Sequence, residues 1–140
     1  MKNEADKIRK LYDDASANYG VLVQRSNYIG PDWLLKNVSA IIQKPNLKVL
    51  DLGCGPGNNV ANLRTLNPTL LATGVDISPQ MIQSAQQAGT YQNLICQSLD
   101  DGLGFSADQT YDLVVALGCL EFVNDIDFCL GEAARVCKHE

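Results

Sequence analysis

With 140 residues, 46% of them apolar, the chain has the length of one domain and the material for one core, and a second domain does not fit. Its net charge of -5 and pI near 4.7, with only 11 Lys and Arg scattered along the chain, argue against a phosphate-tracking nucleic-acid surface and favour a small-molecule partner. No apolar run approaches membrane-spanning length, and the acids in Met1-Lys2-Asn3-Glu4-Ala5-Asp6 do not suit a secretory or transit leader. Cys54, Cys96, Cys119, Cys129 and Cys137 are an odd number without a C-x-x-C pair, which suits thiols of a reducing cytoplasm better than a disulfide framework, and with His139 at a frayed end no metal set is expected.

The first element is an amphipathic helix from residue 4 to about 17, with Ile8, Leu11, Tyr12 and Ala15 on its apolar side. Asn18 to Gly30 has two tyrosines, Tyr19 and Tyr28, and little periodicity, so it reads as a loop that either connects two helices or folds over a site as a lid. Pro31 opens a second helix whose stripe is Leu34, Val38, Ile41 and Ile42, with Trp33 packing beside it, and Lys44-Pro45-Asn46 ends that helix.

The next stretch, Lys48-Val49-Leu50-Asp51-Leu52-Gly53-Cys54-Gly55-Pro56-Gly57, is a short buried strand running into a glycine turn. Gly53, Gly55 and Gly57 permit φ > 0 and a close approach of backbone to ligand, and Asp51 interrupts the strand near its carboxyl end. A nicotinamide fingerprint wants glycine at its sixth position, where this chain has Asn58, so a dinucleotide oxidoreductase is disfavoured. A helix on Val60, Ala61, Leu63 and Leu66 follows, then a strand from Leu70 to Val75 that ends at Asp76. That carboxylate, about twenty residues past the glycine turn, can accept hydrogen bonds from both hydroxyls of a ribose, while Ser78 and Pro79 start the next helix as N-cap and first residue. A third strand, Leu94 to Gln97, leads into Ser98-Leu99-Asp100-Asp101, and a fourth covers Tyr111 to Leu117 before Gly118-Cys119-Leu120-Glu121-Phe122. Glu121 either braces the site or is an ordinary helix-start acid. The last helix, Ile126 to about Cys137, draws its buried face from Phe128, Leu130, Ala134 and Val136.

The order hydrophobic strand, Asp, any, Gly, any, Gly, any, Gly resembles the first motif of class I S-adenosylmethionine-dependent methyltransferases. Gly74-Val75-Asp76-Ile77-Ser78-Pro79-Gln80-Met81 is similar to the second motif of that family, and Tyr111-Asp112-Leu113-Val114-Val115 with the later Leu120-Glu121 resembles its fourth. The resemblance implies an α/β, Rossmann-like doubly wound sheet, of which the chain holds the first four parallel strands of a seven-stranded class I methyltransferase fold, with N-terminal helices. Residues 1–47 would then be those helices and the candidate lid, and 48–140 an S-adenosyl-L-methionine-binding core incomplete at its C-terminus, with strand four left as an edge. The implied cofactor-binding residues are Tyr19, Asp51, Gly53, Cys54, Gly55, Gly57, Asp76, Ile77, Met81, Ser98, Leu99, Asp100, Ala116, Leu117 and Gly118. Ile77 and Met81 would pack on the adenine, and Asp76 would hold the ribose. The family's adenine-binding Asp has no clean counterpart, so Ser98 and Asp100 compete for that role and Leu99 enters by its backbone.

Within the family, Tyr12-Asp13-Asp14-Ala15-Ser16-Ala17-Asn18-Tyr19 and Tyr28-Ile29-Gly30-Pro31 look most like the methyltransferase-like 27 type of small-molecule enzyme. The implied activity is methyl transfer from S-adenosyl-L-methionine to a small-molecule acceptor, weak or absent in the isolated chain because the family draws much of its acceptor pocket from later strands. The alternative is a non-catalytic module that holds the cofactor or a partner protein. No nucleophile with an adjacent base is visible, so no catalytic residue is named.

Overall fold

The computed structural model describes residues 2–16 and 30–139. Helix α1 (Lys2–Ala15) and helix α2 (Gly30–Asn37) precede strand β1 (Lys48–Leu52). Helix α3 (Asn58–Leu66), strand β2 (Leu71–Asp76), helix α4 (Pro79–Ala88) and strand β3 (Asn93–Cys96) follow, then strand β4 (Leu113–Ala116) and helix α5 (Ile126–Val136). Single 3-10 turns at Leu99–Asp101 and Leu120–Phe122 follow β3 and β4.

Among the described residues the strands form one parallel sheet in the order β3-β2-β1-β4. The chain therefore winds outward from β1 through β2 to β3, then crosses back to place β4 on the other side of β1. That reversal leaves a crevice above the carboxyl ends of β1 and β4, the place where open α/β sheets bind ligands.

Burial on both faces explains why β1 reads as nearly continuous apolar sequence. On one face Val49, Ala72 and Val115 meet Val60 and Leu63 of α3 and Leu34, Val38 and Ile42 from the α2 region. On the other, Leu50, Leu52 and Val75 meet Leu103, Tyr111 and Val136. The register aligns Asp51 of β1 with Gly74 of β2 and Val115 of β4. Strand alternation thus aims the Asp51 side chain at the same face as Val49, into apolar surroundings.

Several boundaries and faces differ from expectation. Helix α2 stops at Asn37, and its predicted stripe continues through turns with mixed spacing, Ile42 N–H donating to Val38 O at 2.9 Å and Ile41 N–H to the same oxygen at 3.0 Å. Leu34, Val38 and Ile42 are buried as expected, but Trp33 is 56% exposed because it precedes Leu34 by about 100° around the helix. On α5 the buried residues are Cys129 and Val136, whereas Phe128 and Leu130 face outward and Ala134 is exposed. Asp125 supplies the α5 N-cap, its Oδ1 accepting the Phe128 N–H at 3.0 Å.

Strand β4 stands at the sheet edge, shorter than predicted; at its start Tyr111 forms an isolated parallel bridge with Cys137. At this end, opposite the crevice, Asp112 accepts from Lys44 Nζ at 2.6 Å, Lys138 Nζ at 3.0 Å and the Lys48 N–H at 2.9 Å. Burial of Asp112 opposes its ionisation, but these donors prevail and hold the carboxyl near 2.

The five cysteines are free thiols; Cys54 and Cys129 are buried and Cys96 is exposed. No described helix is long and apolar enough to cross a membrane.

Candidate cofactor cleft

The turn after β1 has the backbone its glycines allow. Gly53, Gly55 and Gly57 have φ of 66°, 55° and 103°. These values lie in the left-handed region, which residues with a Cβ rarely enter. At Gly53 the approach is also close, since a Cβ there would come 2.5 Å from Cys119 Cβ in the segment after β4. The turn is locked to β2 by Cys54 N–H donating to Val75 O at 2.9 Å.

Asp76 ties the turn to the second strand. Its Oδ2 accepts the Gly55 N–H at 2.9 Å and its Oδ1 accepts the Ser78 N–H at 2.9 Å. Burial raises its carboxyl above the usual carboxylate range, and those N–H groups partly offset the rise. Ser78 caps α4 as expected, accepting the Met81 N–H at 3.1 Å, with Pro79 in the first turn.

These residues border an open cleft that encloses about 700 Å³ of empty space, its solvent-open part included. Of the sequence-predicted site, Gly53, Gly55, Asp76, Ile77, Ser98, Leu99, Asp100, Leu117 and Gly118 line it. Asp51, Cys54, Gly57, Met81 and Ala116 do not belong to the cleft wall. Met81 is fully buried, because the Ser78 cap turns α4 so that Met81, Ile82 and Ala85 face inward. Gly57 faces the Tyr91 ring and Thr90 instead of the cleft. Tyr19 and Tyr28 lie outside the described residues, as does the candidate lid from Asn18 to Gly30 except for its last residue, Gly30, which begins α2.

Ser98 and Asp100 both reach the cleft and do different things. Ser98 Oγ accepts the Asp100 N–H at 3.2 Å and so caps the 3-10 turn. The Asp100 carboxylate accepts Asn124 N–H at 2.9 Å and Asn124 Nδ2 at 3.0 Å, fastening the segment after β4 over the site. Glu121 is exposed and does not line the cleft.

Sequence reasoning missed the wall contributed by α1. Ala5, Ile8 and Tyr12 line the cleft, and the Tyr12 ring meets Phe122 edge to face at 5.7 Å between centroids and 87° between planes. Arg9 Nε donates to Ile77 O at 3.2 Å, while Asp13 accepts from Ser78 Oγ and, at 3.2 Å, from the Gln80 N–H. An acid at the start of α4 also complements the positive end of that helix. The apolar period of α1 was legible; its docking partner was not.

Asp51 lies behind the turn, fully buried. Its Oδ2 accepts the Tyr91 hydroxyl at 2.7 Å, and its Oδ1 is buried without a hydrogen-bond partner. Burial is the largest influence and pushes its carboxyl up to about 6; Tyr91 and the Asn59 side chain act in the opposite sense, and the Asp76 charge adds to the rise. Because the folded-state value lies above the unfolded one, ionising Asp51 opposes folding. That penalty is absent below about pH 4, grows as pH rises towards 6, and is fully present above it. Asp51→Asn is therefore expected to stabilise the unliganded protein at pH 7 by up to about 3 kcal/mol. Urea denaturation at pH 7 and at about pH 4.5 checks this: the gain must shrink at the lower pH, and a variant less stable than wild type at pH 7 overturns it.

An orphaned buried oxygen at Asp51, bare glycine backbone in the wall and a carboxylate at the end of β2 suit a ligand with paired hydroxyls and a positive charge. The arrangement defines a Rossmann-like α/β domain whose cleft lies at the reversal of its strand order. The chain belongs to the methyltransferase domain family, which it matches over residues 50–140.

Its curated relatives include the demethylmenaquinone methyltransferase of Tropheryma whipplei (strain Twist), 39% identical over 93 residues, or 65% of this chain and 37% of that protein. The trans-aconitate 2-methyltransferase of Escherichia coli O139:H28 is 39% identical over 82 residues, 57% of this chain and 31% of the relative. The chain thus spans about a third of the length of these relatives. Among solved structures, a SAM-dependent methyltransferase from Aquifex aeolicus superposes with a TM-score of 0.63 at 22% identity, covering 96% of this chain and 67% of that one. The plantazolicin methyltransferase BamL, solved with a triazolic desmethylPZN analogue and SAH, gives a TM-score of 0.69 at 19% identity, covering 94% and 56%. These likenesses establish the class I methyltransferase fold expected from the motifs.

Proposed function

We propose that the protein binds S-adenosyl-L-methionine in this cleft and serves methyl transfer to a small-molecule acceptor. The observation that carries the reading is Asp76, a carboxylate in the cleft wall that is held by the Gly55 and Ser78 N–H groups and keeps further lone pairs for ligand hydroxyls. Bound S-adenosyl-L-methionine would supply a methyl group already activated by its sulfonium. The chain's own residues then need only bind, orient and exclude water. Asp76 would take the ribose hydroxyls, Ile77 and Leu99 the faces of the adenine, Ser98 or Asp100 its edge, and the Gly53, Leu117 and Gly118 backbone the amino-acid part. The apolar wall of Ile8, Tyr12 and Phe122 keeps water from the open side.

Cys119 also lines the cleft, but burial, reinforced by the Asp51 charge, pushes its thiol up to about 12, and it donates to Leu52 O at 3.3 Å. A thiol so placed is no nucleophile at neutral pH, so the acceptor must bring its own nucleophilic atom. The names of the two curated relatives support a small-molecule acceptor, as does the acidic balance of the chain.

Calorimetric titration of the purified protein with S-adenosylhomocysteine, alongside NAD, tests the reading. Saturable binding of S-adenosylhomocysteine and none of NAD is expected. A folded protein that binds neither, or binds NAD alone, overturns it.

A further inference from the structure

Tyr91 is built into this fold with more care than a loop tyrosine needs. The backbone around it is pinned from both sides: Arg64 of α3 donates from Nε to Thr90 O at 2.9 Å and from Nη2 to Gln92 Oε1 at 3.1 Å. Gln92 exchanges contacts with β2, its N–H donating to Ala72 O at 2.9 Å and its Oε1 accepting the Ala72 N–H at 2.6 Å. The ring lies where two glycines leave room, since a Cβ on Gly74 would come 2.8 Å from Tyr91 Cε1 and one on Gly57 3.0 Å from Cε2. Gly74 is the register partner of Asp51. The missing side chain on β2 is thus the passage through which the Tyr91 hydroxyl reaches the Asp51 carboxylate at 2.7 Å.

Resting on the cofactor reading above, we infer that Tyr91 is a positioning residue whose hydroxyl keeps Asp51 ionised behind the glycine turn and thereby tunes the affinity of the cleft for its cationic cofactor. The groups that face Asp51 are few. Tyr91 comes from the segment before β3, Cys54 from the turn, Asn59 from α3, Asp76 from the end of β2 and Cys119 from the segment after β4. Burial raises the Tyr91 hydroxyl and the Cys54 thiol, so both stay neutral, and Asp76 repels a second anion. Among the described residues the Tyr91 hydroxyl donates to the carboxylate at 2.7 Å, the Asn59 side chain acts in the same sense but less strongly, and donation to a carboxylate favours its charged form. A negative charge there attracts the ammonium that S-adenosylmethionine and S-adenosylhomocysteine both carry, and it acts through a medium of low dielectric.

Tyr91→Phe removes the hydroxyl and keeps the ring. Titration with S-adenosylhomocysteine between about pH 5.5 and 8.5 should show the acid limb of the affinity profile moved up by about one pH unit. Binding then weakens about fivefold near pH 6 and changes little near pH 8. In an Asp51→Asn background the same substitution should leave the pH profile unmoved, and urea denaturation of each variant confirms that a folded protein is being compared. A Tyr91→Phe profile parallel to wild type, or a shift that persists without Asp51, overturns the inference while leaving the cofactor reading intact. Absence of S-adenosylhomocysteine binding by wild type at every pH overturns both.

Discussion

Asp76→Ala should lower affinity for S-adenosylhomocysteine by at least about a hundredfold, the largest loss expected from any single substitution in the cleft. Hydrogen bonds to a charged group contribute about 1.5–3 kcal/mol each, and two from ribose hydroxyls already reach that factor. The substitution also strands the Gly55 and Ser78 N–H groups, so the turn loosens as its ligand partner is lost. Asp76→Asn separates the two contributions. Its amide oxygen can still accept one backbone N–H, whereas its NH2 meets the other donor head on, so affinity should fall with a smaller loss of stability. Calorimetry paired with urea denaturation reads both effects. A folded Asp76→Ala protein with wild-type affinity would remove Asp76 from the site.

Gly74→Ala is expected to have a large effect on stability. A single methyl there meets Tyr91 Cε1 at 2.8 Å, Cys54 Sγ at 2.9 Å and Leu94 Cδ2 at 2.9 Å. All three lie closer than real Cβ atoms come, and Tyr91 is held in place by Asp51 and by the pinned backbone on either side. Overpacking of this kind costs about 1–3 kcal/mol, with a fall in Tm of roughly 5–10 °C. Adding Tyr91→Leu, which shortens the obstructing side chain, should recover part of the loss and show positive coupling in a double-mutant cycle. Additive losses, or a Gly74→Ala protein as stable as wild type, would mean that the strand and the tyrosine do not compete for this space.

Both predictions concern residues whose importance was unequally visible beforehand. Asp76 stood out because an acid at the end of an apolar strand, about twenty residues beyond a glycine turn, has a defined chemical use. Gly74 did not, being one glycine in a strand pattern. Its role depends on the register that sets it opposite Asp51 and on a tyrosine from seventeen positions later. Tyr91 was silent for the same reason. Trp33 and Phe128 were assigned inward-facing roles from their apolar character, yet each lies more than 40% exposed. Periodicity gives the stripe of a helix, but a rotation of one residue decides whether a large ring falls inside or outside it.

Local physics determined the strand-turn-helix units, the left-handed glycines, the Ser78–Pro79 helix start and the acids at the ends of β1 and β2. Each depends on residues adjacent in the chain, so the sequence alone carries them. The parallel pairing of those units was implied by their alternation, and with it a crevice at the reversal of strand order. Only the tertiary structure decided that α1 docks on the start of α4 and walls the cleft, that Asp100 fastens the segment after β4, and that Asp51 is held from behind by Tyr91 through the gap at Gly74. The hydrogen bonds among them, Asp13 to Gln80, Asp51 to Tyr91 and Asp100 to Asn124, join residues 67, 40 and 24 positions apart. Their existence depends on shape and register, which no short pattern encodes.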